Sequence, residues 1–178
     1  MQKISDETKF AIQEAAEGDW ALITRGQIEI AWTRVDPDER DEARRDAVVE
    51  AVTQHVARLR QLEDFPNHAL VARTADGETA GYVWVAKDRN DATGELEASL
   101  LSQYVAEPYR GHGLGHILLE HAETWASREG LPCISLFVGA ENRLAQNLYK
   151  SLGYDVETLR MTKCLDDAPA GDSELSDF

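Results

Sequence analysis

From Tyr104 to Gly115 the chain reads Tyr-Val-Ala-Glu-Pro-Tyr-Arg-Gly-His-Gly-Leu-Gly, and no other stretch of its 178 residues restricts the fold as much. The residues leading into it, Glu95 to Val105, form a strong strand candidate that Pro108 ends. The residues leaving it, Gly113 to Glu129, place Leu114, Leu118, Ala122 and Trp125 on the inner face of a helix that Gly130 stops. A strand therefore passes through a glycine-rich turn directly into a helix. Helix N-termini carry free backbone N–H groups and a partial positive charge, which suit an anionic phosphate. Glycines let such a ligand approach the backbone, and Arg110 adds a fixed cation. Gly111, Gly113 and Gly115 alternate, so the dinucleotide fingerprint fails, its third glycine falling at His116. The Lys-Ser/Thr pair of a nucleotide P-loop is also missing. Three glycines alone are equally a tight turn without a ligand.

The rest of the chain supplies a framework around this stretch. Lys9 to Gln13 alternates weakly, as an edge strand does. Glu17-Gly18-Asp19 forms a turn with Asp19 placed to cap a helix from Trp20, which carries Ile23, Ile28, Ala31 and Trp32. After Asp36-Pro37-Asp38, the stripe Val48, Val52, Val56 and Leu59 predicts a second helix from about Glu42 to Leu62. The period then changes to two. His68 to Thr74 and Thr79 to Ala86 read as a hairpin around Ala75-Asp76-Gly77-Glu78. Cys133 to Val138 reads as a buried-type strand, Asn142 to Leu152 as a short helix closed by Gly153, and Tyr154 to Leu165 as one or two final strands. Residues 1–165 are expected to form a single domain, and the acidic segment 166–178 a disordered tail.

Composition narrows the function classes. Thirty-three Asp and Glu against 18 Lys and Arg give a formal net charge of -15. That balance opposes nucleic-acid binding, which depends on clustered cations against phosphates, and opposes a polybasic membrane contact. No apolar run approaches the roughly 18 residues of a spanning helix. The acidic start of the chain lacks an apolar signal core, so the expected location is the cytoplasm. Cys133 and Cys164 form neither a disulfide framework nor a metal pattern. Only five of the 18 cations are lysine, a bias open to three explanations: a salty cytoplasm, a cationic substrate, or compositional drift. His112 and His116 lie four apart, but Gly113 stands where a zinc motif has glutamate, so no metal is expected.

The glycine stretch resembles the GNAT superfamily of acetyl-CoA-dependent N-acetyltransferases. Their signature is Arg or Gln, two residues, Gly, one residue, then Gly or Ala, and Arg110, Gly113 and Gly115 match it. The likeness continues through Ile134-Ser135-Leu136-Phe137-Val138, through Asn142, Ala145, Leu148, Tyr149, Gly153 and Tyr154, and through Met161 and Lys163. It is strong from about Glu95 to Leu165; before Phe65 it extends only to the order of elements. It implies an α/β fold: a mixed, mostly antiparallel sheet flanked by helices, with two parallel strands, Glu95–Val105 and Cys133–Val138, splayed to hold the cofactor. It also implies acetyl-CoA as cofactor and coenzyme A as product. The pyrophosphate would sit on backbone N–H groups of Gly111, His112, Gly113, Leu114, Gly115 and His116, next to Arg110. The pantetheine arm would pair with the backbone of Gln103, Tyr104 and Val105, and Asn142 would contact the cofactor.

Transfer to an amine benefits from a base, a donor to the acyl oxygen, and an acid for the leaving thiolate. The resemblance puts Tyr149 near the thioester sulfur as the acid, and the backbone N–H near Val105 at the acyl oxygen. A core aromatic is the alternative for Tyr149. Many relatives carry a glutamate about nine residues before the arginine; Leu101 stands there instead. Strand alternation puts Glu97, Ser99, Leu101 and Gln103 on one face, so Glu97 is a candidate base acting through water. The expected partner is an amine acceptor, with a cationic one favoured by the acidic residues between Trp20 and Pro66, and a second copy of the chain is a candidate partner. The rival reading is a non-catalytic acyl-CoA-binding sensor on the same fold, supported by Leu101 and opposed by Tyr149.

Overall fold

The computed structural model describes residues 9–62, 65–90 and 92–163. Five strands form one sheet in the order β1 to β5: β1 (Ala11–Glu14), β2 (Asn67–Arg73), β3 (Thr79–Arg89), β4 (Leu96–Val105) and β5 (Ile134–Leu136). The first four pair antiparallel in sequence order, and β5 joins β4 in parallel. Between β1 and β2 lie α1 (Trp20–Trp32) and α2 (Glu42–Gln61); α3 (Leu114–Arg128) follows β4, and α4 (Arg143–Ser151) follows β5. This is the mixed, mostly antiparallel α/β sheet flanked by helices that the sequence implied. Among the described residues no helix is long and apolar enough to cross a membrane.

The sheet separates two apolar clusters because strand side chains alternate between its faces. On one face Leu114, Leu118, Leu119, Ala122 and Ala126 of α3 pack on Leu70, Val83, Val85, Ala98 and Leu100. On the other, Ile23 of α1 and Val56 of α2 pack on Val71, Tyr82 and Trp84. Trp84 is closed from both ends: Trp20 meets its ring edge-on at 5.3 Å, and its Nε1 donates to Asn67 Oδ1 at 3.0 Å. The Tyr82 ring reaches under α1, where its hydroxyl donates to the Ile23 carbonyl at 3.3 Å. Burial pushes that hydroxyl up to about 12, with the nearby Ser102 hydroxyl pulling the other way.

Gly26 makes room for this contact, since a Cβ there would lie 2.0 Å from the Tyr82 oxygen. Gly26→Ala should therefore cost about 1–3 kcal/mol of stability as an overpacking change. A chemical-denaturation midpoint equal to that of the wild type would show that Tyr82 does not hold α1 in this way.

Four expectations are corrected. Asp19 does not cap α1: its carboxylate turns back to accept the Ala16 N–H at 2.9 Å and pairs with Arg73 at 2.6 Å. A buried acid facing an arginine from β2 gains more there than at an exposed helix end. The strand expected over Cys133–Val138 is cut to three residues, and Phe137 is 83% exposed. From Tyr154 to Lys163 the described chain forms no strand; Val156, Leu159 and Met161 are exposed, and an apolar alternation makes a strand only where a ladder receives it. Finally, Glu97 and Gln103 do not share a face, because the β3–β4 pairing shifts by one residue between them. Cys164, Leu165 and the segment 166–178 lie outside the described residues.

Candidate active site

The site begins where two parallel strands part. β5 pairs with β4 at Ala98, Ser99 and Leu100 and then ends, while β4 runs five residues further, to Val105. β4 keeps its β3 partner from Ser102 to Val105, so a single edge is released there. Which atoms line that edge follows from the ladder. The Ala106 N–H donates to the Ala80 carbonyl across β3 at 2.8 Å. Alternation then commits the Tyr104 backbone to β3 and turns the N–H and C=O of Gln103 and Val105 toward the gap. The Tyr104 ring lies instead on the far face, 5.9 Å from Tyr82.

Beyond Val105 a short turn, Glu107–Tyr109, leads to the glycines. Tyr109 anchors it from behind, with Phe10 edge-on at 5.8 Å and its hydroxyl donating to Glu78 at 2.8 Å. Arg110 Nε donates to the Val105 carbonyl at 2.9 Å, which ties the loop to the end of β4. Gly111 and Gly113 have φ of 76° and 80°, in the left-handed region that side chains disfavour. Gly113 is the N-cap of α3, and no side chain caps that helix. His116 and Ile117 both donate to the Gly113 carbonyl, and among the described residues the N–H groups of 111–115 meet no protein acceptor. A Cβ at Gly111 or Gly113 would meet nothing within 4 Å. Unspent donors facing open space, at the positive end of a helix, fit a pyrophosphate.

Gly115 has a different job. A Cβ there would lie 3.3 Å from Leu148 and 3.5 Å from the Gln103 amide, so this glycine lets α3 approach α4 and β4. Gln103 Nε2 donates to the Gly115 carbonyl at 2.5 Å, locking the first turn of α3 onto the freed strand. Leu114 is buried beneath the loop. His112 is exposed within the loop, and His116 faces Glu120 one turn along α3, at 3.0 Å. Among the described residues no three His, Cys, Asp or Glu side chains are grouped to hold a metal.

α4 delivers the remaining candidates. Asn142 caps it, Oδ1 accepting the Ala145 N–H at 3.1 Å. Leu148 faces Gly115, and Tyr149, partly buried, packs on the α3-side cluster with Tyr154 at 5.7 Å. Burial pushes the Tyr149 hydroxyl above its ordinary range, so it stays protonated. Tyr154 is tied elsewhere, its hydroxyl donating to Glu123 at 3.1 Å.

Glu97 sits at the other end of the parallel pair, before the strands part. Ser135 Oγ donates to it at 2.7 Å, Asn90 Nδ2 at 3.0 Å, and the Cys133 thiol at 3.7 Å. Partial burial and this carboxylate push the Cys133 thiol up, away from thiolate. Leu101 packs in the α1–α2 cluster. Two features of the site had no clear sequence signal. One is the donor trio around Glu97; the other is Gln27 of α1, whose Nε2 donates to the Leu101 carbonyl at 3.2 Å.

Known proteins share this fold. A putative acetyl transferase from Pyrococcus furiosus superposes with a TM-score of 0.75 at 25% identity, over 88% of this chain and all of that one. AAC(6')-Iy, solved with a bisubstrate analogue, shares the fold at a TM-score of 0.61 and 15% identity, over 88% of this chain and 98% of its own. In sequence, the N-acetyltransferase YdgE of Bacillus subtilis is 33% identical over 103 residues, 57% of this chain. Mycothiol acetyltransferase of Thermobifida fusca is 29% identical over 146 residues, 73% of this chain. The matched stretches span 64% and 44% of those two relatives. The family model described as Acetyltransferase (GNAT) family matches residues 24–154, most of the chain and all of the site, and the chain belongs to that family.

Proposed function

We propose that the protein is an N-acetyltransferase that moves an acetyl group from acetyl-CoA to a primary amine of a small molecule, peptide or protein. One observation carries the reading: the freed edge of β4 runs straight into a glycine loop whose backbone donors are unspent. The edge suits an amide-bearing arm that adds like a strand, and the loop suits the phosphates at its far end.

In this reading the N–H groups of 111–115 bind the pyrophosphate. Arg110 keeps its tie to Val105 and adds positive charge. Gln103 aligns the arm through its backbone groups, the Val105 carbonyl being taken by Arg110. Bound acetyl-CoA would supply an activated acyl carbon, to which the amine nitrogen bonds as the carbon–sulfur bond breaks and coenzyme A leaves as the thiol. The Val105 N–H, fixed by its place in β4, donates toward the acyl oxygen as negative charge grows there, which lowers the barrier without reorganisation. The Tyr149 hydroxyl gives its proton to the departing sulfur. The acceptor, with pKa ~10.4 if lysine-like, must first lose a proton. Glu97 lies before the strands part, its carboxylate already met by Ser135, Asn90 and Cys133, so the amine reaches the thioester neutral or gives its proton to solvent.

A cationic acceptor is supported by the net charge of -15. Part of that charge has local work, since Asp36 caps a short turn, Asp41 caps α2 and Glu29 pairs with Arg45 at 2.5 Å. The sensor reading is favoured by the apolar setting of Leu101, where a carboxylate would otherwise stand. An amine panel incubated with acetyl-CoA, with free thiol detected, separates the two. Thiol release dependent on an amine is the expected result. Tight coenzyme A binding with no release above the uncatalysed rate, for every amine, would favour the sensor.

A further inference from the structure

The parting of β4 from β5 coincides with an irregularity in β4 itself. Trp84 faces Ser102 and Val85 faces Leu100, so Leu101 has no residue opposite it in β3. It is a bulge residue, left out of the ladder. On its other side β5 has just ended, Leu100 being the last residue paired. The Leu101 carbonyl would therefore lack a strand partner in either direction. It is half-buried in the α1–α2 cluster, where an unmet carbonyl is costly. Gln27 of α1 meets it, Nε2 to O at 3.2 Å.

This contact bears on the site through register. Leu100 packs toward α3 and Leu101 toward α1 and α2, as alternation requires. Without the bulge, residue 102 would return to the α3 face. With it, Ser102 is buried on the α1–α2 side beside Tyr82, Gln103 reaches the Gly115 carbonyl, and Val105 packs with the α3 cluster. The single added residue thus decides that Gln103 and Val105, and not their neighbours, turn backbone groups into the gap. Gln27 is held where it can secure that residue by Gly26, the position that admits the Tyr82 ring under the same turn of α1.

We infer that Gln27 is a positioning residue for acetyl transfer: its side-chain amide secures the Leu101 bulge and so sets which backbone groups of β4 face the acyl chain. The inference rests on the proposed acetyltransferase reading, and its first readout does not need activity. Gln27→Glu keeps size and shape but removes the donor. Amide resonances of Gln103 and Val105 should shift or broaden in the free protein, while those of 111–115 stay in place. With acetyl-CoA and a good acceptor, kcat should fall about ten- to a hundredfold, as expected for a misplaced reacting group. KM for acetyl-CoA should change by less than about threefold, because the phosphate grip on the loop is untouched. Gln27→Lys, which restores a donor of similar reach, should recover most of the loss.

Unmoved Gln103 and Val105 resonances in Gln27→Glu would overturn the inference, as would equal losses in the Glu and Lys variants. Should Gln27→Glu fail to fold, Gln27→Leu gives the same readouts with an apolar side chain suited to that cluster. A wild type that transfers acetyl to no amine refutes the acetyltransferase reading, whereas the resonances still decide whether Gln27 holds the bulge.

Discussion

Gly113→Val largely abolishes acetyl-CoA binding while leaving the fold in place: that is the expected result of a calorimetric titration beside a thermal melt. Gly113 holds φ of 80° at the N-cap of α3, and a Cβ there meets nothing within 4 Å. The substitution therefore collides with no protein atom. Its cost to folding is the strain of a β-branched residue in the left-handed region, about 1–3 kcal/mol, against a typical total of about 5–15 kcal/mol. The isopropyl group instead occupies the space in front of the unspent N–H groups. Each charge-assisted hydrogen bond lost there is worth about 1.5–3 kcal/mol, so losing two weakens binding by about a hundredfold or more. Unchanged affinity in a folded Gly113→Val protein would mean that the phosphates bind elsewhere.

Tyr149→Phe should slow turnover without loosening the cofactor. The ring packs with the α3-side cluster and 5.7 Å from Tyr154, and phenylalanine keeps that packing. The lost element is a hydroxyl that burial holds in its protonated form. A coenzyme A thiol resembles cysteine, with pKa ~8.5, so its thiolate leaves without prohibitive difficulty. The hydroxyl should thus accelerate the reaction by about ten- to a thousandfold, with acetyl-CoA affinity near that of the wild type. The pH dependence follows from the direction of the shift. A hydroxyl raised above its usual value of ~10 remains an acid across the neutral and mildly alkaline range, so kcat should show no alkaline decline from this group below that value. Normal turnover by Tyr149→Phe would make Tyr149 a packing residue and leave water as the acid.

The sequence was most legible where a local conformation demands particular residues. Gly111 and Gly113 stand at positive φ in the turn that opens α3, and their spacing from Arg110 could be read without any partner. Gly115 was grouped with them, yet its small size serves contact with Leu148 and Gln103, residues supplied by α4 and β4. Wherever a distant segment decided the outcome, local reading fell short. Asp19 looked like a helix cap because Arg73, its partner, lies 54 residues away. Gln103 was assigned the face of Glu97 because the bulge at Leu101 exists only in the pairing with β3. Phe137 and Val138 have strand-like side chains, but a strand continues only while its neighbour stays within hydrogen-bonding reach, and β4 and β5 have parted by then.

Amide resonance mapping of the wild-type protein during titration with acetyl-CoA reads directly where the cofactor lies. The expected result is a saturable set of shifts at Gln103 and Val105 on the freed edge of β4 and at 111–116 in the glycine loop, with Glu97 and its neighbours at the start of the strand nearly still. Shifts gathered instead around Lys9, Thr74 and Tyr109 behind the loop, or no shifts at saturating cofactor, would contradict it.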